Sequence, residues 1–184
     1  MLFVQKNQEV HARLQREDLS LHDAGGQRAH AFDALKDFLA WARDTGLRVI
    51  LFINPYHADY LLLIEQAGKW PLLEGWKREL VHVAERHQVP LWDFNVLEPR
   101  TSEPPPAAGD RKTILQWFWE PAHYRKELGD VMLATMLDRP CQTVTNTVPF
   151  GGRISRPMVD AYLEGLRSTL VDQTHARNTP ERVR

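Results

Sequence analysis

The chain has 184 residues, with 23 Lys and Arg against 24 Asp and Glu, a formal net charge of −1. That length builds a single domain, 1–184, with a sizeable core, and the even charge argues against a nucleic-acid partner held by bulk electrostatics. The lone Cys141 excludes an internal disulfide framework and a cysteine-rich zinc site, and no apolar run approaches the ~20 residues that span a bilayer.

The opening MLFVQKNQEVHARLQ turns polar after three apolar residues and does not read as a signal peptide. The chain as written therefore reads as soluble, with its location unknown. A weak helix is expected over 6–20, followed by a loop through Gly25-Gly26. An α/β core is expected over 28–140. Phe32, Leu35, Phe38, Leu39 and Ala42 follow helical spacing from 28 to 44, and Gly46 fits a helix stop. Leu47 to Ile53 is a short, β-branched-rich apolar run ending at Asn54-Pro55, and reads as a buried strand. A second unit repeats that order. Trp76, Leu80, Val83, Ala84 and His87 share one helical face over 73–87, and Val89 to Phe94 reads as a strand. Helix, strand, helix, strand implies parallel neighbours in an open α/β sheet.

Residues 98–110, EPRTSEPPPAAGD, form a Pro-rich loop of extended backbone that is mobile or covers something. The aromatic stretch 113–119 follows, and then a helix over 125–138 whose Gly129 suggests close packing against a neighbour. A loop over 139–156 leads to a last amphipathic helix over 157–171. A flexible polar tail is expected over 172–184.

Ligands of open α/β sheets bind beyond the carboxyl ends of the strands. That places Asn54, Tyr56, His57 and Asp59 after the first strand, and Asp93 and Asn95 after the second. The aromatic stretch delivers Glu120 to Tyr124 into the start of a helix. The expected substrate contacts are Asn54, Tyr56, His57 and Tyr124, and Asp93 is expected to cap the segment after it. A histidine three residues after a carboxylate can take a proton while the carboxylate orients its ring. Spacing alone does not single out this pair, because Glu79/His82 and Asp172/His175 share it. Those two fall on helices or the tail, whereas Glu120/His123 sits at a loop-to-helix junction beside aromatics. The competing structural account puts Glu120 in the helix's first turn and packs His123 under Trp119.

LRVILFINPYHADY, VPLWDFN and WFWEPAHYRKELGDVML together resemble the C-terminal half of the SGNH (GDSL-like) hydrolases, over about half the chain. The resemblance implies a flavodoxin-like parallel sheet flanked by helices. In that family an Asp-x-x-His block supplies the acid and base of a serine triad. Here the block is Glu120-x-x-His123, so the resemblance implies His123 as general base and Glu120 as its orienting carboxylate. The family's Gly-Asp-Ser nucleophile block has no counterpart. None of Ser20, Ser102, Ser155 or Ser168 follows a strand in that context. The chain is then either a piece of a longer enzyme or a relative that has lost hydrolysis. The sheet is expected to be incomplete on its N-terminal side, with an unpaired edge through which the chain self-associates.

The resemblance implies an acyl-ester hydrolase or transferase region acting on a small-molecule or carbohydrate ester, with no cofactor and no resident metal. The alternative is a non-catalytic binding or scaffold domain of the same fold. A third reading is a metal-dependent hydrolase that uses His57, Asp59 and His123 as ligands.

Overall fold

The computed structural model describes residues 2–22, 26, 29–107, 109–110, 112–138 and 149–178. In chain order the elements are α1 (Leu2–Leu14), α2 (His30–Asp44), β1 (Leu51–Ile53), α3 (Ala58–Gln66), α4 (Trp70–Arg86) and β2 (Leu91–Asp93). They continue with β3 (Phe118–Glu120), β4 (His123–Tyr124), α5 (Lys126–Leu137), β5 (Gly152–Ile154) and α6 (Val159–Asn178).

The protein is mixed α/β. The two apolar runs form the parallel pair β1–β2, with Leu51 opposite Leu91 and Ile53 opposite Asp93. The third strand corrects the expected parallel sheet. β5 lies antiparallel to β2, giving the order β1-β2-β5, and β3 with β4 makes a separate hairpin. β5 falls inside 139–156, which reads as loop because its three residues, Gly-Arg-Ile, are too few for strand alternation to show. Residues 139–148, Cys141 among them, lie outside the described residues.

Strand alternation divides the core in two. Ile53, Leu91 and Ile154 pack against Val81 and Ala84 of α4 and Leu163 of α6. On the opposite face Trp92 and Phe94 meet Leu128, Val131 and Met132 of α5, together with Phe3, Phe118 and Phe150. Helix α2 ends as expected at Gly46: Gly46 N–H bonds the Arg43 carbonyl and Leu47 N–H the Ala42 carbonyl. Close approach fixes Gly151. A Cβ there would lie 2.5 Å from both the Asp93 carbonyl oxygen and Phe94 Cδ1, and φ is +66°. Only glycine lets β5 enter against β2 at that point.

Three boundaries depart from the sequence reading. Helix α3 falls after the first strand where the sequence reading predicts no element, because ADYLLLIEQ is apolar on most sides and lacks a clear stripe. Helix α1 spans 2–14 rather than 6–20. Helix α6 continues through Asn178 into the expected tail, whose last residues, 179–184, lie outside the described residues. Among the described residues no helix is long and apolar enough to cross a membrane.

One ion pair lies fully inside. Lys77 Nζ donates to Asp93 Oδ2 at 2.6 Å and to the Asn95 carbonyl at 3.1 Å, and both side chains are wholly buried. The other carboxylate oxygen of Asp93 accepts the Asn95 N–H at 2.7 Å, so Asp93 does turn the chain after β2. Burial pulls the Lys77 ammonium below its usual range, and Asp93 counters this. Desolvation, with the Asp93 charge adding to it, keeps the Tyr162 phenol protonated. Removing one partner strands a charge in the core, whereas removing both does not. Asp93→Ala should therefore cost about 3–5 kcal/mol in urea unfolding. The double change Lys77→Met/Asp93→Leu should recover most of that loss, and a double variant as unstable as the single one would contradict this account.

Candidate active site

Glu120 and His123 face each other across a two-residue turn, Pro121-Ala122, as the closing pair of the β3–β4 hairpin. The expected loop is thus a hairpin, while α5 follows from Lys126, one residue from the expected helix start. Glu120 is 3% exposed. Its Oε1 accepts from His123 Nδ1, and its Oε2 accepts the Ala122 N–H at 3.1 Å. The imidazole itself is 76% exposed. With Nδ1–H held by the carboxylate, Nε2 carries the free lone pair, which is the arrangement a general base requires. Trp119 does not cover His123. Its ring instead stacks under the Arg125 guanidinium, 4.1 Å from the ring centroid.

The hairpin is held from behind by residues the sequence reading assigned elsewhere. Glu103, in the Pro-rich loop, accepts the backbone N–H groups of Gln116, Trp117 and Phe118 at 2.8, 2.9 and 3.1 Å. Thr101, fully buried, donates from Oγ1 to the Val96 carbonyl at 2.7 Å, and its own carbonyl accepts the Ala58 N–H at 2.7 Å. The first part of this loop is therefore an anchored strap. No sequence signal marks Glu103, an acidic residue among prolines.

His57 was expected to touch substrate, and the structure corrects that. It is fully buried, with its ring edge-on between Phe3 and Phe118. Nδ1 accepts the Asp59 N–H at 3.1 Å and caps α3, so Nε2–H donates to the Glu103 carbonyl at 2.8 Å. Its backbone N–H donates to the Pro121 carbonyl at 2.9 Å, inside the turn that carries the dyad. His57 thus joins α3, the strap and the hairpin. Both ring nitrogens are engaged, and among the described residues no group of three or more His, Cys, Asp or Glu is placed to hold a metal ion. The trio His57, Asp59 and His123 does not converge.

The dyad opens onto a cleft of about 690 Å³ that Asn54, Tyr56, Tyr60 and Tyr124 also line. Four of the predicted contacts and catalytic groups besides His123 therefore meet it there: Asn54, Tyr56, Glu120 and Tyr124. Tyr56 and Tyr60 stack at 4.3 Å with an interplanar angle of 11°. Burial raises both phenols above their usual pKa, against the nearby Arg13 charge, so both stay protonated donors. The Tyr124 ring is seated against Gly129, where a Cβ would come within 3.3 Å of Cε2. That is the close packing expected of this glycine.

The sequence reading missed the basic rim, formed by Lys6, Arg13, Arg125 and Lys126. Lys6, Val10 and Arg13 are spaced i, i+4, i+7 on one face of α1, a pattern that would have flagged them. Lys6, Arg125 and Lys126 pair with Glu9, Glu127 and Asp130 at the rim. Among the described residues the cleft walls carry no Ser, Thr or Cys.

Comparison of the chain with known protein families, with curated proteins and with solved structures returned no match.

The two histidines differ sharply in what they hold. His57→Ala loses a helix cap, a buried hydrogen bond and two aromatic contacts, and should cost about 2–4 kcal/mol. His123→Ala, at an exposed ring, should cost about 1 kcal/mol or less. Urea unfolding of the two variants checks this, and equal losses would contradict the division of roles.

Proposed function

We propose that this chain carries the base and acid of an acyl-ester hydrolase or transferase, on an SGNH-like α/β scaffold whose small sheet is mixed. The Glu120–His123 pair, with its free imidazole nitrogen in a cleft, is the observation that carries this reading. The parallel β1–β2 pair between helical layers supports the scaffold assignment.

In this mechanism a hydroxyl nucleophile attacks the ester carbonyl carbon while its proton passes to His123 Nε2. The imidazolium that forms is stabilised by Glu120, whose burial leaves little water to screen the attraction. The carbonyl–oxygen bond to the leaving alcohol breaks as Nε2 returns the proton to the departing alkoxide. Where the nucleophile is a hydroxyl of the protein, water then attacks the acyl intermediate, with the same imidazole removing and returning the proton; where it is water, the first displacement already releases the acid. Because no Ser, Thr or Cys lines the cleft among the described residues, the attacking group is a water molecule or comes from a segment outside those walls. The stacked Tyr56–Tyr60 face offers an apolar wall with hydroxyl tips, suited to a sugar ring or other flat alcohol portion.

The missing nucleophile also favours a second reading, a non-catalytic domain that binds such an ester in the same cleft. Hydrolysis of nitrophenyl acetate separates the two. On the first reading the purified chain accelerates hydrolysis, and His123→Ala lowers the rate by about 100-fold or more. Glu120→Gln should lower it as well, with the fold retained by circular dichroism. Equal rates for the chain and both variants would remove the catalytic reading and leave the binding one.

A further inference from the structure

The acid–base step above places charge on an atom that neither Glu120 nor His123 attends. When a nucleophile adds to the ester carbon, the carbonyl oxygen becomes an oxyanion, and donors fixed in advance at that oxygen are usually the largest single source of acceleration. The hairpin spends its own donors internally. Ala122 N–H goes to Glu120 Oε2, and Arg125 N–H goes to the Trp117 carbonyl. Lys6, Arg125 and Lys126 face acids at the rim.

The neutral side-chain donors on the cleft walls are Asn54, Tyr56, Tyr60 and Tyr124. Asn54 and Tyr56 also line a second cavity, on the β1 side, that Tyr60 does not line. The Tyr124 ring lies over Gly129. Tyr60 sits in the first turn of α3, and its place is tied to the dyad. Its N–H donates to the His57 carbonyl at 2.9 Å, and the His57 N–H donates to the Pro121 carbonyl at 2.9 Å, in the turn between Glu120 and His123. The phenol ring is held by its stack on Tyr56.

The Tyr60 hydroxyl is also uncommitted. Among the described residues it bonds no protein group, and the two Glu120 oxygens are taken by His123 and Ala122. Burial raises the Tyr60 phenol most, and the Tyr56 and Glu120 charges add to it; at Tyr56, Glu120 is not among the causes. Of the stacked pair, Tyr60 is thus the phenol that feels the dyad without bonding to it. A reacting carbonyl belongs between such a donor and the base.

We propose that Tyr60 is a third catalytic residue of this cleft, its hydroxyl donating a hydrogen bond to the carbonyl oxygen of the bound ester as negative charge develops there. The proposal rests on His123 acting as the base. No proton is transferred to that oxygen. The C=O π pair moves onto oxygen as the nucleophile bonds to carbon, the Tyr60 hydrogen bond strengthens, and the pair returns to re-form C=O as the alcohol leaves.

The test compares Tyr60→Phe and Tyr56→Phe, each of which keeps its ring, on nitrophenyl acetate and on the matching nitrophenyl thionoacetate. Tyr60→Phe should lower kcat on the oxygen ester by about 100-fold with little change in KM. Tyr56→Phe should act mainly on KM. The Tyr60→Phe loss should shrink by about 10-fold or more on the thionoester, whose sulfur is a poor hydrogen-bond acceptor; a merely structural role would cost both esters alike. Circular dichroism and the melting temperature check that each variant folds. A wild-type kcat in Tyr60→Phe beside a slow His123→Ala would overturn this proposal and leave the base in place. Equal losses on the two esters, or equal kcat losses in the two tyrosine variants, would overturn it too. Equal rates for the chain and His123→Ala would remove the base, and this donor with it.

Discussion

The site depends on one buried imidazole. His57 receives a backbone N–H at one ring nitrogen and donates from the other, while its main chain grips the turn between Glu120 and His123. A two-residue turn with strands of three and two residues is too short to hold its own shape in water. It keeps its geometry because α3, the strap around Glu103 and the Phe3 and Phe118 rings all meet at His57. The chemistry of position 123 is thus paid for by the rigidity of position 57.

Glu103 completes this support. A single carboxylate takes three consecutive N–H groups at the entry to β3, which would otherwise face unmet hydrogen bonds in a half-buried segment. The triple prolines that follow it restrict the strap's backbone before it is bound, which lowers the entropy lost on fixing it. On the far side of the sheet the Lys77–Asp93 pair plays the matching part, turning the chain after β2 toward the strap. The two polar centres lie at successive strand ends, so the C-terminal edge of the small sheet is where backbone order is concentrated.

Much of the body was legible from periodicity. Helices α2, α4 and α5 show apolar stripes, and β1 and β2 are compact apolar runs next to Pro or Asn. The dyad partners were also legible, because Glu120 and His123 are adjacent to aromatics and to a helix start. Other features left no periodic trace. The Ala58–Gln66 helix is apolar nearly all round, and Gly152–Ile154 has too few residues for alternation to show. The β3–β4 hairpin is shorter than any repeat that could announce it. His57 reads as a ligand because histidine after a strand end usually faces solvent or substrate. Only its contacts with Phe3, 54 positions earlier in the chain, and with Glu103 show that it is structural, and such long-range partners cannot be read from local sequence.

The central claim is that the carboxylate of Glu120 fixes the His123 ring with its proton on Nδ1 and its lone pair on Nε2. The most direct measurement is the imidazole ¹⁵N spectrum of the histidine-labelled protein, recorded with the ring neutral. The account predicts a protonated Nδ1 and a bare Nε2 at His123, with that preference lost in Glu120→Gln. A ring protonated mainly at Nε2, or one whose spectrum is indifferent to the Glu120 change, would contradict it.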